Sequence, residues 1–373
     1  MDVKTSGGLM ELTVSRIELL NGIDRVIGAV DKRAVRPLHT HLKLDVYLTR
    51  LEISATDTMV YARTECPVVA ELGGAVAVPA EKLRAAVDKS AAEIRITLVD
   101  GLKLNLDSEG RHFDLPCLDA DDFPNPLGGD PEPMYVLGHG ILPGIIKGLK
   151  HAVCGDEQKP HLCGIHLISE GGRVTACATD GHRLSVAGRE IPGAGHTAFA
   201  FTVPSRACNM LADINSSIEL ALSANNNLVQ FDSGKNDICS RLLEGKFPDF
   251  RKAVPASLDK GCTIGIQALI EALESCGVMG DDKNKSVQLA GDDGVLSLTT
   301  LGPSGTATMT LPYMGDDGLA LRINSRYLLQ AVRSLGGEEL FLKYKDELSP
   351  IMLIPVDHGS WDERLEVIVP LRG

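Results

Sequence analysis

Three short markers recur along the chain in one order and at nearly one interval, and this repetition limits the fold more than any other feature. Ala55-Thr56-Asp57 returns 123 residues later as Ala178-Thr179-Asp180, and Phe123-Pro124 returns 124 residues later as Phe247-Pro248. The segment VPAEKL, opening at Val78, returns 125 residues on as VPSRAC at Val203. A weaker echo, INSRYL, opens at Ile323 after a further 120. A fixed period marks a duplicated structural unit. A chain of 373 residues holds three such units, each of ordinary domain size.

Each unit carries the same element signals. Leu19, Leu20, Ile23, Val26, Ile27 and Val30 fall on one face of a helix. Ile141, Leu142, Ile145, Ile146 and Leu149 repeat that stripe, and Leu269, Ile270, Leu273 and Cys276 supply it a third time. A second helix follows each Val-Pro or Ile-Asn marker, with Pro79 and Pro204 expected in its first turn. Between the helices apolar residues alternate, as in Ile94, Ile96, Leu98 and then Leu102, Leu104, Leu106 about Asp100-Gly101, a tight hairpin signal; Asp293-Gly294 repeats it. The expectation is an α+β fold in which antiparallel sheet is covered by two helices per unit.

Composition narrows the function classes. No apolar run approaches the ~18 residues of a membrane span, and no charged-then-apolar leader opens the chain, so the reading is a soluble, cytoplasmic protein. Nine cysteines, an odd number without a C-x-x-C pair, argue against a disulfide framework or a zinc ribbon and read as small buried apolar residues. The net charge of −13 makes the average surface repel nucleic acid. Against that average, basic residues recur on equivalent helices: Arg25, followed by Lys32, Arg33 and Arg36; Lys82 and Lys89 on a small-residue face with Ala85 and Ala86; Lys147, Lys150 and His151; Arg206; and Arg326 and Arg333. Exposed charge is the ordinary state of a helix face, and Glu271 and Glu274 break the pattern in the third unit. Recurrence on an acidic chain nevertheless points to sequence-independent contact with phosphates.

Catalytic and metal readings are weaker. Residues 178–186, ATDGHRLSV, hold Asp180, His182 and Ser185, the residue types of a hydrolytic triad. In an extended segment Ser185 points away from the other two, and no G-x-S-x-G turn accompanies it. His39 and His41 lack a third ligand nearby and read as surface histidines. No phosphate-cradling or dinucleotide-binding glycine motif occurs, so no cofactor or metal is expected.

ATDGHRLSV, LLEGKFPDFRKAVP from Leu242, VPSRACNML, DELSPIMLIPV from Asp346 and the closing VIVPLRG together resemble the bacterial DNA polymerase III beta subunit family, the sliding clamps, from Met10 to the end of the chain. The resemblance implies a DNA clamp fold of three repeated domains, 10–131, 132–256 and 257–373, after a flexible extension over residues 1–9. It implies a head-to-tail homodimer closed into a ring about duplex DNA, helices lining its hole and sheets outside. Such a ring tethers the polymerase catalytic subunit, works with a clamp loader and other motif-bearing proteins, needs no membrane and does no chemistry.

By the same resemblance, ATDGHRLSV borders a partner-peptide cleft. Leu162, Thr179, Gly181, His182, Arg183, Leu184, Pro248, Lys252 and Ala253 would form one side. Asn324, Tyr327, Leu348, Pro350, Val367, Ile368, Val369, Pro370, Leu371 and Arg372 would form the other. Lys252 replaces the family's usual arginine, Gly373 its large apolar last residue, and Glu81 a common DNA-facing base. The alternatives are a clamp-like paralogue or mobile-element clamp with fewer partners, and, third, a hydrolase using Ser185, His182 and Asp180.

Overall fold

The computed structural model describes the chain except residues 1–8, 100–101, 126–131, 192–197, 215–216, 223–226, 281–284, 304, 358, 360–361 and 373. The Asp100-Gly101 turn, nearly all of the 1–9 extension and the Gly373 departure lie outside the described residues.

Among the described residues one order of elements occurs three times, save for one extra short strand, Val69–Leu72, in the first pass. The first pass is β1 (Met10–Ser15), α1 (Arg16–Val26), β2 (His41–Val46), β3 (Arg50–Thr56), β4 (Val60–Pro67), β5 (Val69–Leu72), β6 (Gly74–Pro79), α2 (Ala80–Lys89), β7 (Glu93–Val99), β8 (Lys103–Ser108) and β9 (Arg111–Pro116). The second is β10 (Glu132–Leu137), α3 (Ile141–Leu149), β11 (Gly164–Glu170), β12 (Arg173–Thr179), β13 (Arg183–Glu190), β14 (Phe199–Pro204), α4 (Ser205–Leu211), β15 (Ile218–Leu222), β16 (Leu228–Asp232) and β17 (Asn236–Arg241). The third is β18 (Lys260–Gly265), α5 (Ile266–Gly277), β19 (Ser286–Asp292), β20 (Val295–Gly302), β21 (Gly305–Gly315), β22 (Leu319–Asn324), α6 (Ser325–Leu335), β23 (Glu339–Tyr344), β24 (Ile351–Pro355) and β25 (Glu363–Ile368).

The chain packs as two compact units, residues 1–143 with 206–242, and residues 144–205 with 243–373. Unit one holds a five-stranded sheet, β5-β1-β7-β8-β9, and an eight-stranded sheet, β10-β15-β16-β17-β4-β3-β2-β6. Unit two holds a twelve-stranded sheet, β14-β11-β12-β13-β25-β24-β23-β18-β21-β20-β19-β22. All strand pairings within them are antiparallel among the described residues.

The helices bury the stripes their sequence carries. Leu19, Ile23 and Val26 of α1 are withdrawn from water, as are Leu269, Leu273 and Cys276 of α5; each such aliphatic side chain stabilises the fold by about 2 kcal/mol. α1 stops at Val26, and residues 27–29 continue as a single 3-10 turn, so Ile27 and Val30 lie beyond the helix proper. Helix partners are bridged alike in both units: Arg84 of α2 donates to Asp24 of α1 at 2.6 Å, and Arg333 of α6 reaches Glu274 of α5.

Three expectations are corrected. Pro79 caps α2 from outside and Pro204 ends β14, so the second helices begin one residue later, where the proline ring meets no helical carbonyl. Ala86 faces the core rather than the basic face. His41 is buried at the start of β2, where its Nδ1 lies 2.7 Å from the Pro37 carbonyl and burial lowers its pKa; it is not a surface histidine.

Candidate partner-docking site and basic helix faces

The turn between β12 and β13 carries the opening residues of ATDGHRLSV. Asp180 Oδ1 accepts from the amides of His182 and Arg183 at 2.9 and 3.1 Å, satisfying two main-chain donors where the strand ends. Thr179 Oγ1 donates to the Arg183 carbonyl at 2.6 Å and accepts from Gly181 N. Gly181 has φ +93°, a conformation that a Cβ disfavours.

Arg183 is buried, and each of its three nitrogens donates within the protein. Nε donates to Asp180 at 3.0 Å, Nη1 to Gln330 of α6 at 2.6 Å, and Nη2 to the His151 carbonyl. Its guanidinium also lies over the Tyr327 ring. Arg183 therefore positions the turn against α6 and leaves His182, which is exposed, to face solvent.

The last residues of the chain lie beside this turn. After β25 the Val369 amide donates to the His182 carbonyl at 3.0 Å, and the Leu371 amide donates to the Arg322 carbonyl of β22 at 2.7 Å. Pro370 between them is buried, while Val369, Leu371 and Arg372 are exposed. Below lies an apolar cluster of Leu162, Cys177, Leu184, Val186, Phe247, Phe250, Leu365 and Val367. Phe247 stacks on the His166 ring at 4.6 Å, which leaves Pro248, Lys252 and Ala253 exposed at the edge.

Leu348 is exposed on a loop ordered by Asp346, whose Oδ1 accepts from the amides of Leu348 and Ser349. Bonds from the Ser349 side chain and those amides hold the Asp346 carboxyl below its ordinary range. Pro350 is half-buried. Asn324 caps α6, its side chain accepting from the amides of Arg326 and Tyr327 at 3.1 and 3.2 Å. Ile368 is placed elsewhere: it belongs with Leu328 and Val332 in the larger core of unit two.

A buried polar network beneath α6 escaped the sequence reading. Arg364 and Glu366 alternate on β25 and share a face. Arg364 donates to Ser185 Oγ, Glu366 Oε1 and the Val186 and Gly148 carbonyls, while Ser185 donates to Glu366 Oε1 at 2.6 Å. Ser334 of α6 donates to the same carboxylate, and His151 Nε2 lies 3.1 Å from Glu366 Oε2. Opposite charges two apart in an apolar strand were the available signal. This geometry overturns the triad: Ser185 is buried against Glu366, Asp180 engages Arg183, and the exposed His182 serves neither.

Among the cations expected to meet phosphates, Arg25, Arg33, Lys82, Lys89, Lys147, Lys150, Arg326 and Arg333 are exposed, as is Lys32, which pairs with Glu81 at 2.8 Å. Such exposed pairs contribute about 0–1 kcal/mol and exchange readily. Arg206 differs, because it is half-buried and engages the more deeply buried Asp57. Among the described residues no group of three His, Cys, Asp or Glu side chains is placed to hold a metal ion, and no helix is long and apolar enough to cross a membrane.

The family model described as DNA polymerase III beta subunit, N-terminal domain, matches residues 10–126, and that described as DNA polymerase III beta subunit, central domain, matches residues 139–249. The chain is 28% identical over 361 residues to the beta sliding clamp of Synechococcus elongatus, covering 93% of this chain and 96% of that one. It is 26% identical over 377 residues to that of Caulobacter vibrioides, covering 97% and 100%. A sliding clamp from Bartonella birtlesii, solved bound to griselimycin, superimposes with a TM-score of 0.88 at 26% identity over 98% of this chain and 100% of that chain.

Proposed function

This chain belongs to the DNA polymerase III beta subunit family, the sliding clamps, and from that membership we propose that it acts as a processivity clamp: a non-catalytic ring that encloses duplex DNA and tethers polymerase through a peptide cleft. The observation that carries the ring is a strand pairing made twice and left open once. In unit one, β4 pairs with β17; in unit two, β13 pairs with β25. The strands at equivalent places in the repeat are β21 and β9. Among the described residues, β9 is paired only with β8, and Gly305 to Pro312 of β21 only with β20. An unpaired edge of this kind is a template for another chain. β21 of one copy therefore joins β9 of the next, head to tail, and two copies close the ring.

Exposed Arg and Lys side chains on α1, α2, α3 and α6 then meet phosphates as point charges. No reading helix enters a groove, so the contact is independent of sequence and the ring slides. Domains of 10–131, 132–256 and 257–373 fit the recurring element order, and a cytoplasmic home fits a replication factor.

The docking cleft is the surface made by the 179–183 turn, the 348–350 loop and residues 369–372. Apolar Leu348, Val369 and Leu371 supply burial, while His182, Asn324 and Arg372 supply polar contacts for a peptide backbone and a glutamine side chain. The clamp loader, the polymerase catalytic subunit and other motif-bearing proteins are its occupants. Sedimentation of the purified chain tests the ring together with retention on nicked circular and linear DNA: a dimer held on circles and lost from linear ends is expected, and a monomer at every concentration overturns it.

A further inference from the structure

Two cysteines flank the 155–162 loop, and their sulfurs converge on a single residue within it. The Asp156 amide donates to Cys154 Sγ at 3.4 Å, and Cys163 Sγ donates to the Asp156 carbonyl at 3.3 Å. The Cys154 amide donates to the Leu162 carbonyl at 3.1 Å, so main chain holds the loop's two ends side by side. Both thiols are free; Cys154 is buried and Cys163 is partly open to solvent. Burial raises the Cys163 thiol, and the neighbouring Cys154 adds to the rise through charge and a hydrogen bond. Burial pushes the thiols of Cys66, Cys117 and Cys239 up to about 11, and those of Cys177 and Cys262 to about 12. The Cys163 thiol is raised in the same direction, so what sets it apart from those five is the second sulfur beside it and not its acidity.

We propose that Cys154 and Cys163 form a reversible dithiol–disulfide site that takes a low-molecular-weight disulfide as its oxidant and, when closed, pins the 155–162 loop beneath the docking surface. The exposed Cys163 reacts first. Its thiolate attacks one sulfur of the small disulfide and expels a thiolate, which takes up the proton that Cys163 released. The Cys154 thiolate then attacks Cys163 Sγ and expels the second small thiol. One sulfur–sulfur bond breaks and one forms, and two electrons pass from the protein to the small molecule. A disulfide demands closely placed Cβ atoms, and the Cys154–Leu162 main-chain bond brings the two positions together before oxidation.

The loop matters because it ends on Leu162, which is packed with Leu184, Phe247 and Val367 in the cluster under the cleft. Drawing Cys163 toward Cys154 shifts that neighbour, and this consequence rests on the cleft reading above.

The test treats the full-length chain with oxidised glutathione and follows it by intact mass and peptide mapping. The expected product lacks two hydrogens, carries no glutathione and yields a cross-linked peptide spanning Cys154 and Cys163. It forms faster as pH rises through the neutral range, reverts with dithiothreitol, and is absent from Cys163→Ser and Cys154→Ser. A chain carrying only stable mixed disulfides, or remaining unmodified, overturns the site. In a second arm a fluorescent peptide with one glutamine and two large apolar residues binds the closed form about threefold more weakly than the open form. Equal binding of both forms overturns the link to docking, whereas no binding by either removes the cleft reading and leaves the mass result standing.

Discussion

The guanidinium of Arg183 lies 4.3 Å from the centre of the Tyr327 ring, and through it the turn that begins the proposed docking surface is anchored to α6. Its hydrogen bonds to Asp180, Gln330 and the His151 carbonyl make it a tether rather than a hand extended to the ligand. Arg183→Lys keeps the charge but loses the fork and the stacking. Thermal unfolding is expected to show a loss of about 2 kcal/mol, and titration a weaker peptide affinity although no contacting side chain has changed.

Glu366→Ala leaves the Arg364 guanidinium buried without its countercharge. Breaking a pair so enclosed costs about 3–5 kcal/mol, seen as a lowered denaturant midpoint. Replacing both Arg364 and Glu366 by apolar residues of similar size recovers most of that loss. A double variant no better than the single one contradicts the account.

Acid is expected to weaken the packing of His166 on Phe247 beneath the proposed cleft. Burial lowers the His166 pKa to about 4, against the partial opposition of the Phe201 main-chain bond. The unfolded chain, with the ordinary value near 6.5, therefore binds more protons between pH 6.5 and 4. The stability that neutral His166 supplies is complete above pH 6.5 and is lost as pH falls toward 4. The ring is partly covered, so water screens it and the expected loss is about 2 kcal/mol rather than the full shift. His166→Leu flattens that part of a stability–pH curve.

Ending the chain after Ile368 removes the residues that bond to the His182 and Arg322 carbonyls. β25 and its pairing are untouched. Peptide binding is expected to fall at least tenfold, about 1.4 kcal/mol, while sedimentation still reports a dimer.

Much of the fold was legible because duplication prints one pattern three times. The stripes of α1, α3 and α5 could be read directly, and Asp293-Gly294 does form the tight turn expected of it, with φ of +48° and +73°. Helix starts were misplaced by one residue, since proline is tolerated both before a helix and within its first turn. The turn at Asp180 was within reach of residue types alone, an aspartate followed by a glycine. Its anchoring was not: Gln330 and His151 lie 147 and 32 residues from Arg183 in sequence, and nothing local announces which acceptor a guanidinium will find. Glu366 hid for a related reason, because charged side chains in a strand ordinarily face water.

The pairings of β4 with β17 and of β13 with β25 are each crossed by continuous polypeptide, whereas a joint between β21 and β9 of separate copies is not. In the ring proposed above, tension would load every joint alike but could part only those without a covalent thread, so opening would begin where one copy meets the next.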